Sequence, residues 1–295
     1  MHPIEQKINL FLEEVCEGKA GFSEKLIEEF GTRCMQILRD QFTEKAEKKF
    51  TLRMSNVGRP LRQLLLDKLA GGKYTVSKEA KLKYAIGHMY EALMLAVLKQ
   101  SGVNVVDHDK RVELQVEDTK IYGTYDVKID GKIYDIKTAS PYSYEYKFTS
   151  PDTLRKSDSF GYFAQGFGYS LADGSPFGGW IVCNKTTGEF KVVSINEIEH
   201  DKLQEEYKQA IFNTVAAVTK DKPMPPCSGV VDEYFGKTAT GNKILNAECS
   251  YCDHKRICHK EIACEPSVFS KAVNAKLTWY IGKILRPKKD ANRGV

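Results

Sequence analysis

The sequence predicts an α/β fold built on a central mixed β-sheet flanked by helices, and three observations predict it. Apolar residues recur at helical spacing over the first hundred positions, then switch at Val103 to a period of two that holds to Thr138. A second helical stretch, two more strand candidates and a charged helix follow. The composition, 42% hydrophobic and 28% charged over 295 residues, supplies enough apolar surface for a full core. Helices, then strands, then a helix and further strands is the order that layers helices on a sheet.

Positions 3–50 are predicted helical, with Ile8, Leu10, Phe11 and Val15, then Leu26, Ile27 and Phe30, spaced among Glu and Lys. Residues 54–62 (MSNVGRPLR) break the pattern at Gly58 and Pro60. A short apolar helix follows and ends at Gly71-Gly72. Ser77 is placed to cap a long helix reaching about 102, with Leu82, Ala85, Ile86, Met89, Leu93, Ala96 and Val97 as its buried stripe. Strands are predicted at 103–107, 111–116, 121–129 and 132–138. A helix at 157–172, strands at 178–184 and 189–195 around the Thr187-Gly188 turn, and a charged helix at 197–220 complete the core. Residues 222–226 (KPMPP) form a linker. The chain thus divides into an N-terminal helical region, 1–52, a core, 53–222, and a cysteine-rich C-terminal segment, 223–295, that ends in basic residues and is expected to be helical.

No apolar run reaches the roughly 20 residues that cross a bilayer, and no basic-then-apolar signal segment opens the chain, so no membrane role and a cytoplasmic compartment are expected. In that reducing setting, clustered cysteines point to metal ligands rather than disulfides. The net charge of +5 is compatible with a polyanionic partner and adds only a little to such a reading.

The sharpest feature is Gly123-Thr-Tyr-Asp126-Val-Lys-Ile-Asp-Gly-Lys-Ile-Tyr-Asp135-Ile-Lys137-Thr. Asp130-Gly131 is a two-residue hairpin signal. With the turn there, Ile129 faces Lys132, Val127 faces Tyr134 and Asp126 faces Asp135. Side chains alternate along a strand, so Tyr125, Val127, Ile129, Tyr134 and Ile136 take one apolar face, while Thr124, Asp126, Asp135 and Lys137 share the other. Two carboxylates opposite each other repel, a conflict that a hard divalent cation resolves. Lys137, on the same face, is placed to orient or help deprotonate a metal-bound water, which suits phosphodiester hydrolysis.

Asp126 followed by Asp135-Ile-Lys137-Thr resembles the core of the PD-(D/E)XK nucleases, and the KTAS continuation resembles their RecB-like branch. The resemblance covers roughly residues 55–260. It implies a restriction-endonuclease-like core and a metal-dependent DNA exonuclease working in recombination, repair or DNA degradation, with Mg²⁺ or Mn²⁺ held by Glu91, Asp126, Asp135 and the Ile136 carbonyl. Glu91 enters through Gly87-His-Met-Tyr-Glu91 on the long helix, with His88 as its rival. Gln165-Gly-Phe-Gly-Tyr169 matches the branch's Gln-x-x-x-Tyr motif, which is thought to support the catalytic lysine and contact DNA. On the predicted helix Asp158, Tyr162, Gln165 and Tyr169 share one face, while Phe160, Phe163, Ala164 and Phe167 cover the other.

Cys249-Ser-Tyr-Cys252-(five residues)-Cys258 carries thiolates at a spacing that can converge on one metal, and Asp253, His254, Lys255 and Arg256 argue against a buried apolar segment. The pattern resembles the late cysteines of the [4Fe–4S] cluster in AddB-type and CRISPR-associated nucleases of that branch. The early cysteine of the family is missing from 55–62. The fourth ligand is Cys264, Cys34 or Cys16 for an iron–sulfur cluster, or His259 or His254 for zinc. Cys183 and Cys227 are expected to be structural.

The expected partner is DNA, single strands or duplex ends, bound without sequence preference. The N-terminal helices offer a place for a protein partner instead. The competing function is a catalytically silent DNA-binding or assembly module that keeps the fold and the cysteine site. A site-specific restriction enzyme is the third reading, and no separate recognition domain is visible to support it.

Overall fold

A computed structural model describes residues 1–43, 49–71, 78–220, 223–225 and 229–287. The chain forms two compact units, the first from 1–59 and 67–222 and the second from 60–66 and 223–295.

The first unit begins with α1 (Pro3–Cys16) and α2 (Glu24–Phe42), followed by the short α3 (Met54–Val57). His2 caps α1 through Nδ1, which accepts from the Ile4 N–H, and Ser23 caps α2. α4 (Leu61–Leu69) runs across the boundary between the units, and α5 (Lys78–Gln100) is the long helix. Its predicted cap, Ser77, lies outside the described residues. Next come β1 (Val105–Val116), β2 (Thr119–Ile129) and β3 (Lys132–Ala139), then α6 (Pro141–Tyr146), α7 (Pro151–Lys156) and α8 (Tyr162–Asp173). β4 (Phe177–Asn184), β5 (Phe190–Ser194) and α9 (Glu197–Thr219) complete the unit. The five strands lie in sequence order, with β3 and β4 parallel and the other neighbours antiparallel. The fold is the predicted α/β arrangement of a mixed sheet between helices. A parallel neighbour needs a crossover, and α6 to α8 provide it.

One face of the sheet receives α1 and α5. Ile4, Ile8 and Phe11 join Met94, Leu95, Val97 and Leu98 over Val127, Ile129, Tyr134, Ile136 and Ile181. The other face holds Phe163 and Phe167 of α8, stacked on Tyr207 of α9 and packed against Phe177 and Trp180. Each such ring or branched chain contributes about 1.5–3 kcal/mol by leaving water. Gly58, after α3, and Gly161, before α8, meet backbone to backbone. A Cβ on Gly58 would lie 2.6 Å from the Gly161 Cα.

Four expectations are corrected. The two strands predicted at 103–107 and 111–116 are one strand, β1, which runs through a bulge and a left-handed Asp109 (φ 51°). The helix predicted from 157 starts at Tyr162, because Gly161 takes a left-handed φ of 77° and Asp158 accepts from the Tyr162 and Phe163 N–H groups. Phe160 therefore precedes α8 and is exposed. The predicted α5 stripe fails at Leu82, Ile86 and Leu93, all exposed. α5 is apolar around most of its C-terminal half, and the sheet selects Met94, Leu95 and Leu98 instead. The C-terminal segment is not helical in the main but carries its own sheet.

That sheet belongs to the second unit: β6 (Val230–Phe235), β7 (Thr238–Leu245), α10 (Ala247–Tyr251), α11 (Lys255–Cys258), β8 (Ile262–Pro266) and β9 (Leu277–Ile281). Its antiparallel strands lie in the order β6-β7-β9-β8. Buried Glu233 ties it together, accepting from Tyr280 Oη at 2.6 Å, Asn242 Nδ2 at 2.8 Å and Thr240 Oγ1 at 2.8 Å. Among the described residues no helix is long and apolar enough to cross a membrane.

Candidate active site

The hairpin forms as its sequence requires. Asp130 (φ 48°) and Gly131 (φ 80°) both take the left-handed conformation of a tight primed turn. The ladder runs Ile129 with Lys132, Lys128 with Ile133, and Val127 with Tyr134, and ends there. Beyond it the Asp126 carboxylate enters between the strands, and Oδ2 accepts the Ile136 N–H at 2.6 Å. A side chain thus replaces the main-chain partner, and β2 parts from β3 at the two acids. On its other side Asp135 is in register with Trp180 of β4.

Asp135 is 2% exposed, and its Oδ1 has no hydrogen-bond partner. Lys137 Nζ lies 2.6 Å from Asp135 Oδ2. Burial, then the Asp135 and Glu91 charges, push the Asp126 carboxyl well above the ordinary aspartate value. Burial also raises Asp135, against the opposing pull of Lys137. For Lys137 burial favours the neutral amine, but Asp135 and Asp126 outweigh it and hold the ammonium above the usual lysine value. Three ionisable groups packed this tightly, with Asp135 buried and Asp126 and Lys137 half-buried, make an acidic centre with one resident cation.

Glu91 comes to this centre from α5 and bears on both aspartates. His88, its rival, is hydrogen-bonded to it, Nδ1 to Oε2 at 2.9 Å, and that bond raises the imidazole. Arg33 of α2, which the sequence did not single out, stands within the influence of Glu91 and Asp126 while gripping Asp109 with both guanidinium nitrogens. From α8, Gln165 Nε2 donates to Tyr169 Oη at 2.9 Å. Tyr169 is buried, and burial followed by the two aspartates raises its phenol. Tyr162, one turn before Gln165, lies with its ring 5.5 Å from Lys137 Nζ. It lies near the lysine because it shares the helix face of Gln165 and Tyr169. The structure brings Asp126, Asp135, Lys137, Glu91 and Tyr169 to one centre, and Ile136 touches it through its N–H.

Among the described residues no three His, Cys, Asp or Glu side chains stand arranged around a common metal position. The donor chemistry nonetheless suits a hard divalent ion, with carboxylate oxygens from three elements, one of them buried and unbonded, and mutual repulsion that a cation would relieve. The Lys137 ammonium provides part of that relief in the side-chain arrangement described.

In the second unit, Cys249, Cys252 and Cys258 line one cavity of about 240 Å³ together with Arg62. Arg62 Nε donates to Cys258 Sγ at 3.2 Å, and its Nη1 donates to the Pro225 carbonyl at 2.7 Å. Cys264 is exposed on β8, opposite Trp279, and does not line that cavity. Cys16 and Cys34 belong to the first unit, Cys183 is buried in β4, and Cys227 lies outside the described residues.

No known family matches the sequence, and no curated protein matches it. Among solved structures the fold is similar to that of SSO0001, at 16% identity and a TM-score of 0.42, over 77% of this chain and 95% of that one. It is also similar to a "Putative exonuclease" from Eubacterium rectale, at 12% identity and a TM-score of 0.32, over 71% of this chain and 74% of that one.

Proposed function

We propose that this chain is a metal-dependent deoxyribonuclease of the RecB-like PD-(D/E)XK type, acting as an exonuclease on DNA ends or single strands. The observation that carries the reading is the group formed by buried Asp135 with half-buried Asp126 and Lys137 at the point where β2 and β3 part. A charged cluster of this kind is costly to bury, and a solvated strand face would not need it. Glu91, Asp126 and Asp135, with the Ile136 carbonyl, would hold Mg²⁺ or Mn²⁺. When bound, such an ion lowers the pKa of a coordinated water and offsets charge on the phosphate. Lys137 orients the attacking water beside Asp135, and Tyr162 and Tyr169 shape the wall behind the lysine. Gln165 fixes the Tyr169 hydroxyl.

For the cysteine cavity we propose a metal–thiolate centre on Cys249, Cys252 and Cys258, a [4Fe–4S] cluster first and zinc second, with Cys264, Cys34 or Cys16 completing the cluster, or His259 or His254 completing the zinc site. Metal analysis and the visible spectrum of anaerobically purified protein distinguish the two metals.

The catalytic reading is tested by digestion of linear and closed circular DNA with Mg²⁺ or Mn²⁺, comparing wild type with Asp135→Ala and Lys137→Ala. Linear DNA should be degraded by wild type alone, and the circle left intact. Equal activity in the variants removes the mechanism.

A further inference from the structure

The chain's net charge of +5 is not spread over the molecule. The second unit holds thirteen of the 44 Lys and Arg but only seven of the 39 Asp and Glu, which makes it +6 and leaves the first unit at −1. A third of that excess stands on one indole. Lys255 Nζ lies 5.1 Å and the Arg256 guanidinium 5.4 Å from the centre of the Trp279 ring. Trp279 is half-buried and Arg256 is exposed. Neither cation is ion-paired with a carboxylate among the described residues. Other cations are neutralised: Lys110, Lys120, Lys128 and Arg155 in the first unit, and Lys243 and Arg286 in the second, each lie on an acid.

Two like charges side by side repel, and an aromatic face is one of the few groups that holds them there without neutralising them. The result is a fixed positive pair, with Arg256 exposed and Lys255 half-buried where it also lines the cysteine cavity. It sits on α11 beside β9, the strand that leads into the basic run from Arg286. Phosphates along a nucleic-acid strand are the polyanion that such a pair suits, because affinity there comes from counterion release and needs no base reading. Nearby in sequence Tyr251 is 73% exposed, and an open aromatic ring of this kind gives a base something to stack on.

The geometry points to Lys255 and Arg256, held by Trp279, as a nucleic-acid backbone site in the second unit. It belongs to the second unit, and the inference does not depend on whether the carboxylate centre cuts DNA.

The chain supplies its own reporter. Its two tryptophans differ, with Trp180 fully buried in the first unit and Trp279 half-buried in the second. In the full chain carrying Asp135→Ala, iodide quenching therefore reads Trp279. Saturation with a 20-nucleotide oligonucleotide of mixed sequence should protect it. By fluorescence anisotropy with the same labelled oligonucleotide, K255E/R256E should raise Kd at least tenfold. It should also flatten the salt dependence by a slope of about 1.4, the value for two lost phosphate contacts on a single strand. Trp279→Ala should weaken binding severalfold, and Trp279→Phe should restore most of it.

The control is K81E/K83E on the first unit, where both lysines are exposed. If that control weakens binding while K255E/R256E leaves Kd and slope unchanged, the site is wrong. If poly-glutamate displaces the oligonucleotide at equal charge concentration, the surface fits acidic protein and the proposal also falls. A chain that binds through Trp279 but never cuts DNA overturns the catalytic reading alone. A chain that cuts but ignores these substitutions overturns the backbone site alone.

Discussion

Asp126 Oδ2 accepts the backbone N–H of Ile136 at 2.6 Å, so one carboxylate both closes the gap between two strands and faces the acidic centre. The two roles differ in their need for charge. An amide oxygen can accept the same N–H, but it cannot supply an anionic ligand.

Asp126→Asn should therefore keep the fold and lose activity by on the order of 10³-fold. The folded carboxyl titrates above its unfolded value near 3.9, so ionising it costs stability as pH rises past that point. With chelator present, the Asp126→Asn variant should melt at a higher temperature than wild type at pH 7–8. The difference should close below about pH 4, where both side chains are neutral. A lower melting temperature at pH 7 contradicts the electrostatics.

Asp173, at the end of α8, shows the opposite sign. Its carboxyl is buried, which alone would raise it. Lys128 at 2.6 Å and Lys110 at 2.9 Å outweigh burial and bring it down to about 2. Its stabilisation is fully present above the unfolded value and disappears as pH falls from about 4 to 2. Asp173→Asn should cost about 2 kcal/mol at pH 7 by urea unfolding, and almost nothing near pH 2.

Tyr162 touches Lys137 through its ring rather than its hydroxyl. Tyr162→Phe should leave kcat within about twofold, whereas Tyr162→Ala should lower kcat about tenfold with little change in KM, since an aromatic face contributes about 1 kcal/mol or more to holding an ammonium out of water. Equal loss in both variants would assign the role to the hydroxyl.

At Gly58 a Cβ would meet the Gly161 Cα at 2.6 Å and its carbonyl oxygen at 2.9 Å, both backbone atoms that cannot rotate away. Gly58→Ala should destabilise the chain by about 3 kcal/mol, the upper end for overpacking, measured by denaturant midpoint. A neutral substitution would mean that the loop before α8 moves freely.

Local chemistry was legible in the sequence wherever it decides structure by itself. Asp130-Gly131 set the turn, and the turn set the register through Val127 and Tyr134. The register could not reveal that Asp126 leaves the ladder to take the Ile136 N–H, because that depends on how far the sheet opens. The α5 stripe failed for a related reason. A helix apolar on several sides does not encode which side meets the sheet, and tertiary packing chose Met94 and Leu98 over Leu82 and Ile86. The second sheet went unseen because β6, β7 and β8 are largely exposed and carry little alternation. Arg33 had no motif around it. Its place follows only from α2 lying across α5.

The second unit is discontinuous, joining residues 60–66 to 223–295. On a ribosome the short piece emerges more than 150 residues before its complement. During that interval Leu64, Leu65 and Leu66, all buried in the finished protein, wait for the rest of their unit. The first unit can assemble while synthesis continues, but the cysteine cavity, lined by Arg62 and by Cys249, Cys252 and Cys258, closes only once α11 has been made. A chain stopped early at about 222 would thus carry residues 60–66 without the rest of their unit, and chaperones or proteases would meet it first.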